Sequence, residues 1–158
     1  MKIFVTIGTT KFDSLIEVVD NNLNNKDYEV VFQIADGKYK PKNFEYFEYT
    51  QDIQKYFKNS DIVITHAGAG SIYELLELKK KIIIVPNLDR IDKHQTDISD
   101  YMDKNGYAKA LKSFDTLKDT VEYVNNLEFK VFTKKIFFKV DEILEYIEGI
   151  TTPIITIQ

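Results

Sequence analysis

The sequence predicts a single α/β domain, a Rossmann-like parallel sheet with helices on both faces. Three observations predict it. Apolar, β-branched runs of strand length alternate with segments of helical periodicity. Polar and glycine residues gather in the loops that leave the strand ends. The 158 residues are 44% hydrophobic, 13% aromatic and 29% charged, which suits one globular domain with a sizeable core.

The elements follow in order. Lys2–Ile7 is a strand that stops at Gly8. Phe12, Leu15, Ile16, Val19 and Leu23 recur at helical spacing. Glu29–Ile34 is a second strand, followed by a loop punctuated by Asp36-Gly37 and Pro41. Phe44–Tyr49 is a third strand. Thr50 then caps a short helix carrying Ile53, Tyr56 and Phe57. Asp61–Thr65 runs into the glycine loop His66-Ala67-Gly68-Ala69-Gly70-Ser71, and a helix covers Ser71–Leu78. Its trailing Lys79, Lys80 and Lys81 suit the negative end of a helix dipole. Ile82–Val85 is a buried strand ended by Pro86. A helix from Lys93 to Asn105 turns Ile98, Tyr101 and Met102 inward, with Gly106 just past its end. Ala108–Leu111 is a short strand, Ser113 caps a helix through Asn126, and a last helix covers Thr133–Glu148. No repeat or linker interrupts this order, so residues 1–158 read as one domain, with the C-terminal helices over 112–158.

Composition excludes several function classes. Twenty-one Lys and Arg against 25 Asp and Glu give a net charge of −4, which argues against nucleic acid as a partner. The absence of cysteine excludes disulfides, thiolate catalysis and sulfur-built zinc sites, and is compatible with the cytosol. The apolar run at the N-terminus is too short for a signal peptide, and no stretch approaches the length needed to cross a bilayer.

Three loops leave strand ends on what becomes the ligand-binding edge of such a sheet: Gly8–Lys11, His66–Ser71 and Pro86–His94. Glycines in the second let backbone approach a ligand, and the free amides at a helix start favour an anion such as a phosphate. It lacks the Gly-Lys-Ser/Thr of a P-loop and the third glycine of the dinucleotide fingerprint. A plain strand-to-helix turn with Ser71 as N-cap is the other reading. Glu74 either closes a capping box with Ser71 or offers a bidentate acceptor to ribose hydroxyls. His94 and Gln95 either open a helix or meet sugar hydroxyls. Gly8, Thr9 and Thr10 either form a turn, with a threonine as cap, or face a phosphate. Asp13 suits the start of the first helix. The two histidines, His66 and His94, have no third ligand at metal-binding spacing.

The order of these pieces is more specific than any one of them. His66-x-Gly68-x-Gly70-Ser71-x-x-Glu74, then an apolar strand with Pro86, then His94-Gln95, resembles the donor-binding half of two-domain (GT-B) glycosyltransferases. Within these it is most similar to glycosyltransferase family 28, which includes MurG. Ile3–Asp13 and Ser60–Glu74 resemble one subgroup of that family. The subgroup holds the small catalytic subunit of the dolichol-pathway N-acetylglucosaminyltransferase and the PssE-type subunits of capsule and exopolysaccharide synthesis. The resemblance covers residues 2–111.

The resemblance implies a nucleotide-sugar-binding role. His66 and the amides of Gly68, Ala69, Gly70 and Ser71, with Ala67 in the same loop, would hold the diphosphate of a UDP-sugar. Glu74 would bind ribose, and His94 and Gln95 the donor sugar. His94 stands where many relatives carry Asp or Gln, which leaves the sugar open. Backbone at Tyr49 or Thr50 would read the uracil, and Gly8, Thr9 and Thr10 would lie near the phosphates. The implied reaction is inverting transfer to a lipid-linked acceptor, without cofactor or metal, in keeping with the lack of an Asp-x-Asp motif. The acceptor half would be a separate membrane-associated subunit of PssD type. It would recruit this chain from the cytoplasm to the inner face of the membrane and supply the general base, with Asp13 a distant local candidate. An isolated half would be able to pair as a homodimer. The aromatic-rich segment from Phe129 through Val131, Phe132, Ile136, Phe137 and Phe138 packs on its own domain or offers part of itself to a partner.

Two other classes compete. A nucleotide-sugar-binding enhancer subunit without catalysis would keep Glu74, Gln95 and the glycine loop. A flavodoxin-like or receiver-like domain would show no preference for UDP, and a receiver would need acidic residues where Gly8-Thr9-Thr10 stands.

Overall fold

The structure is a computed structural model that describes residues 1–87 and 94–133. Among them, strands β1 (Lys2–Thr6), β2 (Glu29–Gln33), β3 (Glu45–Phe47), β4 (Ile62–His66), β5 (Lys81–Val85) and β6 (Lys109–Ala110) form one sheet of order β3-β2-β1-β4-β5-β6. Every pairing is parallel. The helices are α1 (Asp13–Asn22), α2 (Ile53–Asn59), α3 (Ala69–Glu77), α4 (His94–Lys104) and α5 (Leu117–Asn126). Ser113 accepts from the Asp115 N–H and starts a 3-10 turn, Phe114–Thr116, that leads into α5. All but Thr133 of the segment read as a helix over Thr133–Glu148, and residues 88–93 of the loop Pro86–His94, lie outside the described residues.

Both faces of the sheet are covered, which is why the central strands are apolar on both sides. On one face Ile3, Val5, Ile64 and Val85 pack under α1 and α5, whose Leu15, Ile16, Val19, Val121 and Val124 are buried. On the other, Phe4, Val63, Ile82 and Ile84 pack under α2, α3 and α4. Phe4 anchors that side, stacked on Tyr56 at 5.2 Å and edge-on to Phe57 at 5.9 Å.

The connection from β2 to β3 carries no helix, and α1 takes over its support. The buried carboxylate of Asp20 accepts from the Tyr39 hydroxyl at 2.8 Å and from the backbone N–H groups of Lys42 at 2.9 Å and Asn43 at 3.0 Å. Asp13 accepts from the Tyr39 N–H at 3.1 Å, and its Oδ1 leaves no room for a Cβ at Gly37. A loop with polar backbone pressed against a domain needs such acceptors.

The same cluster sets an alkaline limit. Burial, then the bond to Asp20, pushes the Tyr39 phenol up to about 12. The folded state therefore holds this proton more tightly than the unfolded chain, whose tyrosines titrate near 10. The stability this contributes is complete below pH 10 and is lost as pH rises through 12. Tyr28 is raised too, by burial first and then by Glu122. Tyr39→Phe is expected to flatten part of the fall in stability over that window in urea titrations at stepped pH. An unchanged slope would place the alkaline limit elsewhere.

Several boundaries differ from the sequence reading. The third strand shortens to Glu45–Phe47. Asp52, not Thr50, caps α2 by accepting from the Lys55 N–H, while Thr50 Oγ1 accepts from the Asp52 N–H. Neither Thr9 nor Thr10 caps α1; Phe12 holds that position, with no side-chain bond. α3 starts two residues before Ser71, with Gly68 at its N-cap, so Ser71 is neither cap nor part of a capping box. Lys80 donates to Lys58 O and Ser60 O, at the end of α2 and not of α3. Tyr101 is 55% exposed, and Ser99 takes the inward position beside Met102. Gly106, at φ +74°, ends α4 as expected.

Candidate functional site

The strand order fixes where a site can form. β1 lies between β2 and β4, and the chain leaves β1 for α1 on one face and β4 for α3 on the other. The loops after these two strands diverge and open a crevice at the carboxyl edge of the sheet.

His66 joins the two loops. It is the last residue of β4, and its ring lies between Gly8 and Gly68. A Cβ at Gly8 would sit 2.8 Å from Cε1, and a Cβ at Gly68 would sit 2.5 Å from Nε2. Gly8 also has φ +60°, a left-handed conformation that glycine adopts without strain. Its N–H donates to Thr6 Oγ1 at 3.2 Å, and the Thr6 hydroxyl in turn donates to Gln33. Thr6 and Thr65 pair across β1 and β4, so a buried polar row underlies the crevice.

α3 begins directly above this row. The first intrahelical bond runs from the Ile72 N–H to Gly68 O at 3.1 Å. The N–H groups of Ala69, Gly70 and Ser71 precede it and have no acceptor within the helix. Ala69 and Gly70 are exposed, and a Cβ at Gly70 would meet none of the described residues within 4 Å. This is an anion-binding geometry made of backbone alone.

Glu74 lies one turn further along α3 and is half-buried. Gln54 of α2 donates to its Oε1 and orients the carboxylate. Sequence reasoning missed Gln54, because the pair is twenty residues apart on two helices and no local pattern marks it. Thr50, at the start of the segment leading to α2, is half-buried beside the exposed Tyr49.

The remaining candidates separate. His94 opens α4 and is exposed. Gln95 follows it, and its Oε1 accepts from the Asn87 N–H at 2.9 Å, which ties α4 to the end of β5. Thr9 is exposed and Thr10 half-buried. The Asp13 carboxylate is committed to the Tyr39 N–H, and no described contact joins it to the glycine loop. Phe129 packs against the α1 and α5 core, Phe132 against Tyr73 and Tyr107 at 5.6 and 5.4 Å, and Val131 is 65% exposed. Ile136, Phe137 and Phe138 lie outside the described residues. Among the described residues no group of three or more His, Asp or Glu could hold a metal ion, and no helix is long and apolar enough to cross a membrane.

Residues 2–134 match the glycosyltransferase family 28 C-terminal domain. A mouse protein, UDP-N-acetylglucosamine transferase subunit ALG13, is 36% identical over 117 residues, which are 66% of this chain and 10% of the mouse protein. The chain thus spans about a tenth of the length of that relative, and the same holds for the human one. Among solved structures, MurG of Acinetobacter baumannii superposes with a TM-score of 0.68 at 17% identity, over 80% of this chain and 43% of MurG. The solution structure of ALG13 superposes with a TM-score of 0.61 at 21% identity, over 90% of this chain and 94% of that one.

Proposed function

The chain belongs to the glycosyltransferase family 28 C-terminal domain family, and from that premise we propose that it is the UDP-sugar-binding subunit of a two-chain inverting glycosyltransferase. The observation that carries this is the crevice itself: bare helix amides at Ala69–Ser71, locked to the first loop by His66, with an oriented carboxylate at Glu74. The amides take the diphosphate and Glu74 accepts from the ribose hydroxyls. The uracil extends toward Thr50 and the donor sugar toward His94 and Gln95.

The name of the mouse relative favours UDP-N-acetylglucosamine as donor. The acceptor is a lipid-linked sugar, in a glycan pathway such as capsule or exopolysaccharide synthesis. A membrane-associated partner presents it, recruits this chain to the membrane and supplies the general base. An in-line attack by the acceptor hydroxyl expels UDP, and the α3 amides stabilise the charge that develops on the departing diphosphate. No metal takes part in this scheme.

Calorimetric titration of the chain with UDP, against ADP and FMN, tests the reading. UDP is expected to bind in preference to both. Glu74→Ala is expected to weaken UDP by about 1–3 kcal/mol, the cost of unpaired hydrogen-bonding groups, without loss of fold. Preference for FMN or ADP would overturn the assignment, and unchanged UDP affinity in the folded variant would remove Glu74 from the site.

A further inference from the structure

A cavity of about 510 Å³ opens at the carboxyl ends of β5 and β6. It lies on the same sheet edge as the glycine loop, reaches Phe12 and Ser14 at the start of α1, and shares no residue with that loop, Glu74 or His94. Its size falls in the usual range of small-molecule sites, about 300–1,000 Å³.

The walls combine two chemistries. Phe12, Pro86, Leu111 and Phe114 supply apolar surface, with the two phenyl rings 6.5 Å apart and inclined at 47°. Asn87, Thr96 and Ser99 supply hydrogen-bonding groups. At the rim, Lys112 pairs with Asp100 at 3.3 Å, and both side chains are more than half exposed, so the pair can exchange for ligand contacts at little cost. Ser99 is the decisive residue. It is 1% exposed, and its hydroxyl has no hydrogen-bond partner among the described residues. Buried hydroxyls are seldom left so. A ligand in the cavity would provide the missing partner. Aromatic carbon faces beside hydroxyl, amide and carboxylate groups match a pyranose ring, which has an apolar C–H face and a rim of hydroxyls.

We propose that this cavity is a pyranose subsite that takes the terminal sugar of the acceptor. The inference rests on the donor-half reading, which puts the donor sugar at Gln95. Asn87, whose N–H donates to Gln95, itself lines the cavity. A sugar ring held there lies beside the donor sugar, where an attacking hydroxyl has to be. The donor half then reads part of the acceptor and does not leave that task wholly to its partner.

The test is methyl and amide NMR of the full chain titrated with methyl β-N-acetylglucosaminide, with and without saturating UDP. The glycoside is expected to shift the Val85, Ala110 and Leu111 methyls equally in both conditions. Ser99→Ala is expected to weaken it about fivefold or more, the loss of one hydrogen bond, with a melting temperature that is unchanged or higher. If UDP shifts the Gly68–Ser71 amides but the glycoside leaves the cavity methyls unmoved, the subsite falls and the donor reading stands. If UDP moves nothing while the glycoside binds, the donor reading falls and takes the acceptor assignment with it. Displacement of the glycoside by UDP-N-acetylglucosamine but not by UDP would give the cavity to the donor sugar and overturn the proposal.

Discussion

Gly68→Ala is expected to remove UDP binding from a chain that still folds, while Gly70→Ala weakens binding and raises the melting temperature. The two glycines are two residues apart and owe their place to different things. Gly68 has φ −79°, which any residue adopts, so the constraint there is space and not conformation. An alanine Cβ would lie 2.5 Å from Nε2 and 2.8 Å from Cε1 of His66, the ring that also packs against Gly8, so either the ring or the turn has to shift. Either shift disturbs the His66–Gly68 turn from which the first-turn amides of α3 project. A tenfold loss or more, about 1.4 kcal/mol, is the expected minimum. Gly70 is helical, and a Cβ there would meet no atom of the described residues within 4 Å. Alanine there should stabilise the helix by about 0.5–1 kcal/mol. Since no described residue needs glycine at this point, a ligand backing onto the amides is what would need it. Calorimetry with UDP, paired with thermal melts, reads both effects. Normal UDP affinity in both variants would show that these amides do not hold the diphosphate.

Asp20→Ala carries the largest expected cost to stability. The carboxylate is fully buried and accepts from one hydroxyl and two backbone N–H groups. Removal strands all three donors, and a loss on the order of 3 kcal/mol or more follows if each unpaired group costs about 1–3 kcal/mol. Urea unfolding measures it directly. Asp20→Asn keeps the shape but turns an amide toward donors, so it should recover only part of the loss. A loss under about 1 kcal/mol for alanine would mean that the stretch 38–44 finds other acceptors or water.

Much of the architecture was legible because it rests on local pattern. Alternating apolar runs and helical spacing placed every described strand and helix, and their order led to the parallel sheet. The glycine loop and Glu74 were legible as residue types at a spacing. What escaped is set by contacts between distant segments. Thr50 and Asp52 are both good caps, and in the fold Asp52 takes the cap while the Thr50 hydroxyl accepts from the Asp52 N–H. Ser71 looked like a cap because a serine before an apolar run usually is one, yet the tight turn at Gly68 starts the helix earlier. Tyr101 and Ser99 exchange places: Ser99 is buried with Met102 on the inner face of α4, while Tyr101 is 55% exposed, a choice of face that the apolar spacing alone did not settle. Gln54 reaching Glu74, and the His66 ring between two glycines, have no signature in one dimension. The cavity beside β6 draws its walls from separate elements and could not be seen at all.

The all-parallel sheet has a consequence for how the protein is made. β1 sits in the middle, with Ile3 in register with Val30 on one side and Ile62 on the other. No neighbouring strands form a hairpin, so each pairing waits for a long loop to close. Translation adds about 5–20 residues per second. The apolar edge of Ile3, Phe4 and Val5 therefore leaves the ribosome seconds before its second flank, Ile62–Thr65, exists. A nascent chain halted near Ser60 is expected to engage chaperones strongly, and one that extends past β5 to release them.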